Sequence, residues 1–472
     1  MTEQNADPRR WWALGFLALA QFVVIMDTSI IGVALPRMQA DLGFTTDNLS
    51  WIFNAYVIAF GGLLLLGGRL AALLGARRLF GAGWALTLAG SVVAALAGTA
   101  GVELLGRVLQ GAGAALIAPA ALTLLMTLFG ARPRELTKAL ALYGAAAPAG
   151  GTAGVFLGGV LTQWLSWPWI FWLYVPISLV ALVATPLLMP SAPARRGAID
   201  VLGALAVTAG LGLVVFAVVR APQLGWGSAA TLGALAGGIA LLALFVALQR
   251  ARRVPLVRLG IFRTPGLGGA NLAQFLLGAA WIPMWYFLNL YLQQVLGYGA
   301  FASGAALLPM TVLIVVLMVA VAPRLIARFG AKPLIIGGLW ALAAGLVWLS
   351  FVRPTGTFVI DVLPASLVAA LGQALAFIPS LGTAISSAPP EEGGLASGIV
   401  NTAYQIGSAL GLATMTAVGV SFGAGRLGDP VALTGGFSAA FLGAAGIAAA
   451  GGLLTLATLR RAARPAEAAQ AA

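Results

Sequence analysis

Asp27 sits inside the apolar run Met26-Asp27-Thr28-Ser29-Ile30-Ile31, and Arg107 sits inside another, Gly106-Arg107-Val108-Leu109-Gln110-Gly111. A charged side chain at the centre of a bilayer costs about 3 kcal/mol on insertion scales, so such residues face a protein interior and take a partner. The chain has no His and no Cys. That excludes disulfides, thiolate metal sites and cysteine nucleophiles, together with the side chain that ordinarily titrates near neutral pH. A proton carried during work therefore sits on a carboxylate, or else on Lys or Tyr. Asp27 is the candidate; the alternative is a hydrogen bond that only fixes helix packing. Arg107 has two candidate partners. Glu103 stands one turn earlier, in the favourable acid-then-base order at i, i+4. Asp27 is the other, reached across a helix bundle. A nearby cation favours a charged carboxylate and burial favours the neutral acid, so a helix movement that changes the Asp27–Arg107 separation would load or release a proton.

The other polar groups inside apolar runs are uncharged. Gln21 and Thr28, seven residues apart, share one stripe, and Gln110 continues the Arg107 face. Trp285 and Asn289 share a face, Asn401, Gln405 and Ser408 form an i, i+4, i+7 stripe, and Asn54 and Tyr56 lie elsewhere. These groups either line an amphipathic cavity or join helices. The aromatic cluster Trp281, Trp285, Tyr286 and Tyr291 suits the same cavity or an interfacial belt.

Positioning these residues is the work of membrane-spanning helices. Of 472 residues, 61% are hydrophobic and 8% charged, with a mean hydropathy of +1.00. A soluble domain is about 25% charged, so no water-exposed surface can be assembled. A helix needs about 20 apolar residues to span the hydrocarbon core, and fourteen stretches qualify, from 11–35, 49–67 and 79–99 through to 435–458. The net charge of +13 follows the loops. With the N-terminus inside, 21 of the 26 basic residues fall on the inner side, among them Arg9, Arg77, Arg78, Arg132, Arg250, Arg324 and Arg460. That asymmetry sets topology, so contact with membrane lipid is expected and nucleic acid is not. The first apolar run is too long for a signal peptide, ends in no A-x-A site and is interrupted by Asp27, so it is expected to be retained. Lys138 and Lys332 are followed by Ala and Pro, so no Walker-type loop exists. No cofactor, no metal and no enzymatic activity are expected.

An internal repeat divides the chain. Arg69-Leu-Ala-Ala-Leu-Leu-Gly75-Ala-Arg77 after the second span matches Arg324-Leu-Ile-Ala-Arg-Phe-Gly330-Ala-Lys332 after the tenth. Two homologous bundles with a site between them are a common transporter plan. The expected organisation is a tail over 1–10, a six-helix bundle over 11–190, a linker with two extra spans over 191–268, a second bundle over 269–458 and a tail over 459–472. The fifth span carries Pro148, Gly150, Gly151, Gly154, Gly158 and Gly159, the composition of a bent, closely packed helix.

These motifs together resemble the major facilitator superfamily, in its fourteen-span drug:proton antiporter branch. The matching elements are Met26-Asp27-Thr28 through Leu35-Pro36, Gly68-Arg69 with Gly75, Arg77 and Arg78, and Gly106-Arg107 through Ala115. Trp167-Pro168-Trp169, Asp200-Val-Leu-Gly203, Gly225-Trp226-Gly227, Tyr291 through Gly297 and Gly394 through Asn401 extend the match along nearly the whole chain. The resemblance implies an all-α membrane protein of two rocking six-helix bundles plus two linker helices. It implies export of a small hydrophobic or cationic compound in exchange for protons, with Asp27 and Arg107 in proton coupling. A multi-pass monomer in the cell membrane with both termini cytoplasmic is expected. The alternatives are a dedicated exporter of an endogenous metabolite and a nutrient uptake symporter. Five positions depart from the pattern: Gly32 and Tyr174 stand at the usual Asn, Val155 at the usual Pro, Ala72 where an acid helps latch the outward-facing state, and Leu73 near the usual place of a basic residue.

Overall fold

The computed structural model describes residues 9–130, 133–191, 200–252, 255–257, 259–264, 266–388 and 393–459. Both tails, apart from their innermost residues, and Arg132, Arg195 and Arg196 lie outside these ranges.

Long apolar segments make helices here because a backbone in oil has no water to bond and must satisfy itself within the segment. Among the described residues fourteen are long and apolar enough to span: α1 (Arg9–Leu42), α2 (Thr46–Ala71), α3 (Ala76–Ala95), α4 (Ala100–Phe129), α5 (Leu142–Trp164), α6 (Trp169–Leu188) and α7 (Val201–Leu224). The others are α8 (Ala229–Ala251), α9 (Leu267–Val295), α10 (Ala300–Phe329), α11 (Ala331–Leu349), α12 (Phe358–Ser387), α13 (Ala396–Ala424) and α14 (Pro430–Thr458). No strand occurs among the described residues.

The first helix continues past the expected end near 35. It passes through Pro36 to Leu42, and Arg37 Nη1 there donates to the Thr162 carbonyl at 2.7 Å. In α5 the helix runs unbroken from Pro133 to Trp164, with the Pro148 side chain outside what is described.

The packing repeats with the sequence. In the first half α1 packs on α5, α2 on α4, and α3 on both α4 and α6; in the second, α9 packs on α13, α10 on α12, and α11 on both α12 and α14. The two halves meet along two seams, α2 against α13 and α5 against α10, which exchange under the pseudo-twofold axis. The pair α7 and α8 packs on itself, and α7 reaches both α2 and α13. Gly75 and Gly330, matched in the sequence repeat, both turn the chain between helices at positive φ, 91° and 81°, where a side chain is strained. The basic residues two places on also correspond. Arg77 donates to the Met189 carbonyl just past α6 at 3.4 Å, and Lys332 to the Leu456 carbonyl in the last turn of α14 at 2.9 Å.

Close approach of α5 to α1 needs glycine. A Cβ at Gly154 would stand 2.7 Å from the Met26 carbonyl oxygen, one at Gly158 2.7 Å from that of Ile30, and one at Gly150 would collide with that of Phe22. The three glycines therefore clamp α1 on both sides of Asp27.

Candidate functional site

The site is built from three helices of the first bundle. Asp27 projects from α1 between Met26 and Thr28, and Arg107 from the second turn of α4, where Thr99 caps the helix by accepting from the Val102 amide. Arg107 Nη1 donates to Asp27 Oδ1 at 2.5 Å and to Gln110 Oε1 at 2.7 Å, and its Nε donates to the Ile52 carbonyl of α2 at 3.0 Å. The guanidinium is fully buried and Asp27 is 4% exposed. Below the guanidinium lies the Tyr56 ring, 4.6 Å from Cζ to centroid, with the Phe171 ring at 6.0 Å. Aromatic faces at this range attract a cation. Gln110 Nε2 passes the network on to Ser91 Oγ of α3 at 2.9 Å, and Ser91 donates to the Thr87 carbonyl. Of the two candidate partners, Arg107 takes Asp27.

Glu103 is fully buried one turn before Arg107, and neither of its carboxyl oxygens has a hydrogen-bond partner. Arg107 Nη2 is also without one. The cluster thus holds two carboxyl groups and one guanidinium, with one charge pair made. A buried pair of this kind is weak evidence for stability, because desolvation offsets the attraction, but removing one partner strands the other at a cost of about 3–5 kcal/mol.

The remaining expected residues fall in several places. Gln110 and Tyr56 belong to the Asp27–Arg107 network, and the Tyr56 hydroxyl donates to the Val24 carbonyl at 3.3 Å. Asn54 is buried with both amide atoms unpartnered. Gln21 accepts from the Tyr143 hydroxyl at 2.9 Å, and Thr28 returns its hydroxyl to the Ile25 carbonyl at 2.7 Å. On the second half, Asn401 donates to the Ser397 carbonyl, and Gln405 packs against Gly61 across the α2–α13 seam. Trp285 and Asn289 lie on the α9 face that meets α1 at Gly32. Gly159 touches Ala300 and Phe301 of α10 across the other seam. At the basic end, Gly68 approaches Pro119 of α4, the buried Arg69 Nε has no partner, and Arg78 is exposed. The side chain of Ala72 lies outside what is described.

Three further carboxylates are buried, Asp47 and Asp200 just ahead of expected spans and Asp361 at the first residue of one. Asp47 opens α2 with Oδ2 unpartnered. Asp200 caps α7 by accepting from the Gly203 amide at 2.9 Å, and also holds Gln249 of α8 at 2.7 Å and Arg252 at 3.2 Å. Asp361 pairs with Arg353 at 2.7 Å. Each stands at a helix start, beside the beginning of an apolar run, which is the signal the sequence carries for them.

A family profile for the Major Facilitator Superfamily matches residues 17–412. The chain belongs to this superfamily. Members with similar sequences include the cephamycin export protein CmcT of Amycolatopsis lactamdurans, 40% identical over 92% of this chain and 89% of that one. The puromycin resistance protein pur8 of Streptomyces alboniger is 37% identical over 90% of this chain and 85% of its own. Among solved superfamily folds, an auto-inhibited POT family peptide transporter superposes with a TM-score of 0.68 at 16% identity, over 97% of this chain and 98% of that one. That last likeness concerns the fold alone.

Proposed function

We propose that the chain is a secondary exporter that moves hydrophobic or amphipathic drugs or antibiotics out across the cell membrane in exchange for protons, by alternating access. The observation that carries the reading is the buried Asp27–Arg107 pair, clamped between α1 and α4 in the first bundle. Protonation of Asp27 releases the guanidinium, which then leans on Gln110 and the Ile52 carbonyl, and the glycine-packed α1–α5 contact lets α1 shift in response. The identities of the antibiotic-related superfamily members support the substrate class. For an uncharged substrate, one proton crossing 100 mV supplies about 2.3 kcal/mol, or roughly a 50-fold concentration ratio at about 1.4 kcal/mol per factor of ten.

In this reading the working units are 11–190 and 269–458, with 191–268 between them, both termini are cytoplasmic, and the protein acts as a monomer. Ala72 leaves the usual latch incomplete; Ala72→Asp is expected to slow or bias transport, measured as initial export rate.

The test is substrate-induced proton movement in everted vesicles. Wild type is expected to exchange protons for an added substrate, and Asp27→Asn to insert normally yet lose gradient-driven export. Proton-coupled export in Asp27→Asn at the wild-type rate would remove Asp27 from the mechanism. A second reading, export of one compound the cell itself makes, is favoured by the likeness to a cephamycin export protein. Susceptibility profiling of a deletion strain separates the two: a change for many toxic compounds supports the broad exporter, and a change for none supports the dedicated one.

A further inference from the structure

Where α1 of the first bundle meets α9 of the second, Gly32 faces Trp285 and Asn289 with no side chain of its own. A Cβ there would lie 3.1 Å from Asn289 Nδ2 and 3.3 Å from Trp285 Nε1. Both side chains are buried, Asn289 fully and Trp285 to 8% exposure. Their polar atoms do not bond each other. Asn289 Nδ2 donates to the Trp285 carbonyl at 2.9 Å, which leaves Asn289 Oδ1 as an acceptor without a donor, and Trp285 Nε1 is a donor without an acceptor. Swapping the amide atoms would set two oxygens face to face, so the assignment is chemically forced. A buried donor or acceptor left unpaired costs about 1–3 kcal/mol. The two are of opposite kind and one helical turn apart on the face of α9 that meets α1, a donor and an acceptor left for a ligand.

We propose that Trp285 Nε1 and Asn289 Oδ1 recognise an amide or carbamate group of the transported compound, the indole N–H donating to its carbonyl and the carboxamide oxygen accepting from its N–H. The inference rests on the export reading and names the substrate chemistry of that same interface. The contact is covered by Gly32 when α1 and α9 are together and becomes available to a ligand when the bundles part. Gly32 is what keeps the Trp285 indole N–H free. An Asn side chain at this position would reach the Trp285 indole N–H, whose Nε1 lies 3.3 Å from where a Cβ would stand, and satisfy it internally. The apolar remainder of the wall, including Trp281 with its ring 6.4 Å from that of Trp285, takes the rest of an amphipathic molecule without choosing among hydrogen-bonding patterns. A site built around specific hydrogen bonds discriminates against analogues that lack them, because its own polar groups stay unpaired.

The test compares two probes on the purified full-length protein: puromycin, which carries a secondary amide, and tetraphenylphosphonium, which has no hydrogen-bonding atom. Trp285→Phe and Asn289→Leu are each expected to lower the ratio of puromycin to tetraphenylphosphonium affinity by roughly tenfold. Gly32→Asn is expected to lower it in the same direction. An unchanged ratio in both Trp285→Phe and Asn289→Leu would overturn the proposal, as would equal loss of both probes. Gel-filtration profiles and thermal midpoints show which variants are folded, and Trp285→Phe keeps a ring in place should Gly32→Asn not fold. Proton-driven uptake into everted vesicles is measured separately. Selective binding without gradient-driven transport sinks the exporter reading and leaves the recognition pair standing; transport that persists with an unchanged affinity ratio sinks the pair alone.

Discussion

Arg107 has three hydrogen-bond acceptors from three sources: Asp27 of α1, Gln110 of its own helix and the Ile52 carbonyl of α2. Removing it should therefore do more than discharge the pair. Arg107→Ala is expected to lower stability by about 3–5 kcal/mol, because Asp27 is left buried without its cation, and to abolish export; a thermal-shift assay in detergent beside vesicle transport measures both. Glu103 makes no hydrogen bond to Arg107, so Glu103→Gln, which keeps the volume, should shift the thermal midpoint little and reduce export less than Arg107→Ala. The pair itself was legible in the sequence, since an acid and a guanidinium in oil have few other fates. Its surroundings were not. Ser91 lies in an ordinary apolar run, the Ile52 carbonyl belongs to the backbone, and the meeting of Gly32 with Trp285 and Asn289 joins residues some 250 positions apart, which no local spacing encodes.

Helix contacts here depend on what is absent from side chains. Gly150, Gly154 and Gly158 bring α5 against the α1 backbone at Phe22, Met26 and Ile30, and in the second half Gly407 and Gly411 bring α13 against α9 at Phe275 and Ala279. The spacing of the first set was readable as close packing; which helix it packs on was not, because any facing helix would satisfy it. Gly154→Val inserts atoms where a Cβ alone would stand 2.7 Å from a carbonyl oxygen. Overpacking of this kind costs about 1–3 kcal/mol, and the displaced α1 should carry Asp27 away from Arg107, so export is expected to fall by more than the stability loss accounts for; transport rate per folded molecule decides this. Asp200 ties α7 to α8 through one carboxylate. Asp200→Ala is expected to cost about 0.5–2 kcal/mol from the lost cap alone, and limited proteolysis should report earlier cleavage beside the end of the pair where α7 begins and α8 finishes.

Across the whole molecule, the two bundles touch by the seams α2–α13 and α5–α10 and by hydrogen bonds far from the basic end. There Gln293 Nε2 donates to the Val33 carbonyl and Gln294 Nε2 to Gln39 Oε1, both at 3.1 Å. If the bundles rock, these contacts must break in each cycle. The natural sequence contains no Cys, so a Gln39→Cys, Gln294→Cys double variant can be bridged without background. A short bis-methanethiosulfonate reagent is expected to halt export, and dithiothreitol to restore it; export that continues in fully bridged protein would show that this end need not open. Fourteen spans and a two-part plan were evident from hydropathy and the repeat, whereas the docking of α7 was not, since an apolar helix carries no label for the groove it occupies. That docking breaks the symmetry of the pair of seams. One flank is shuttered by α7 lying along α2 and α13, and among the described residues no helix lies so along α5 and α10, so one seam is sheltered by a third helix where the other presents its own two helices to the surrounding lipid.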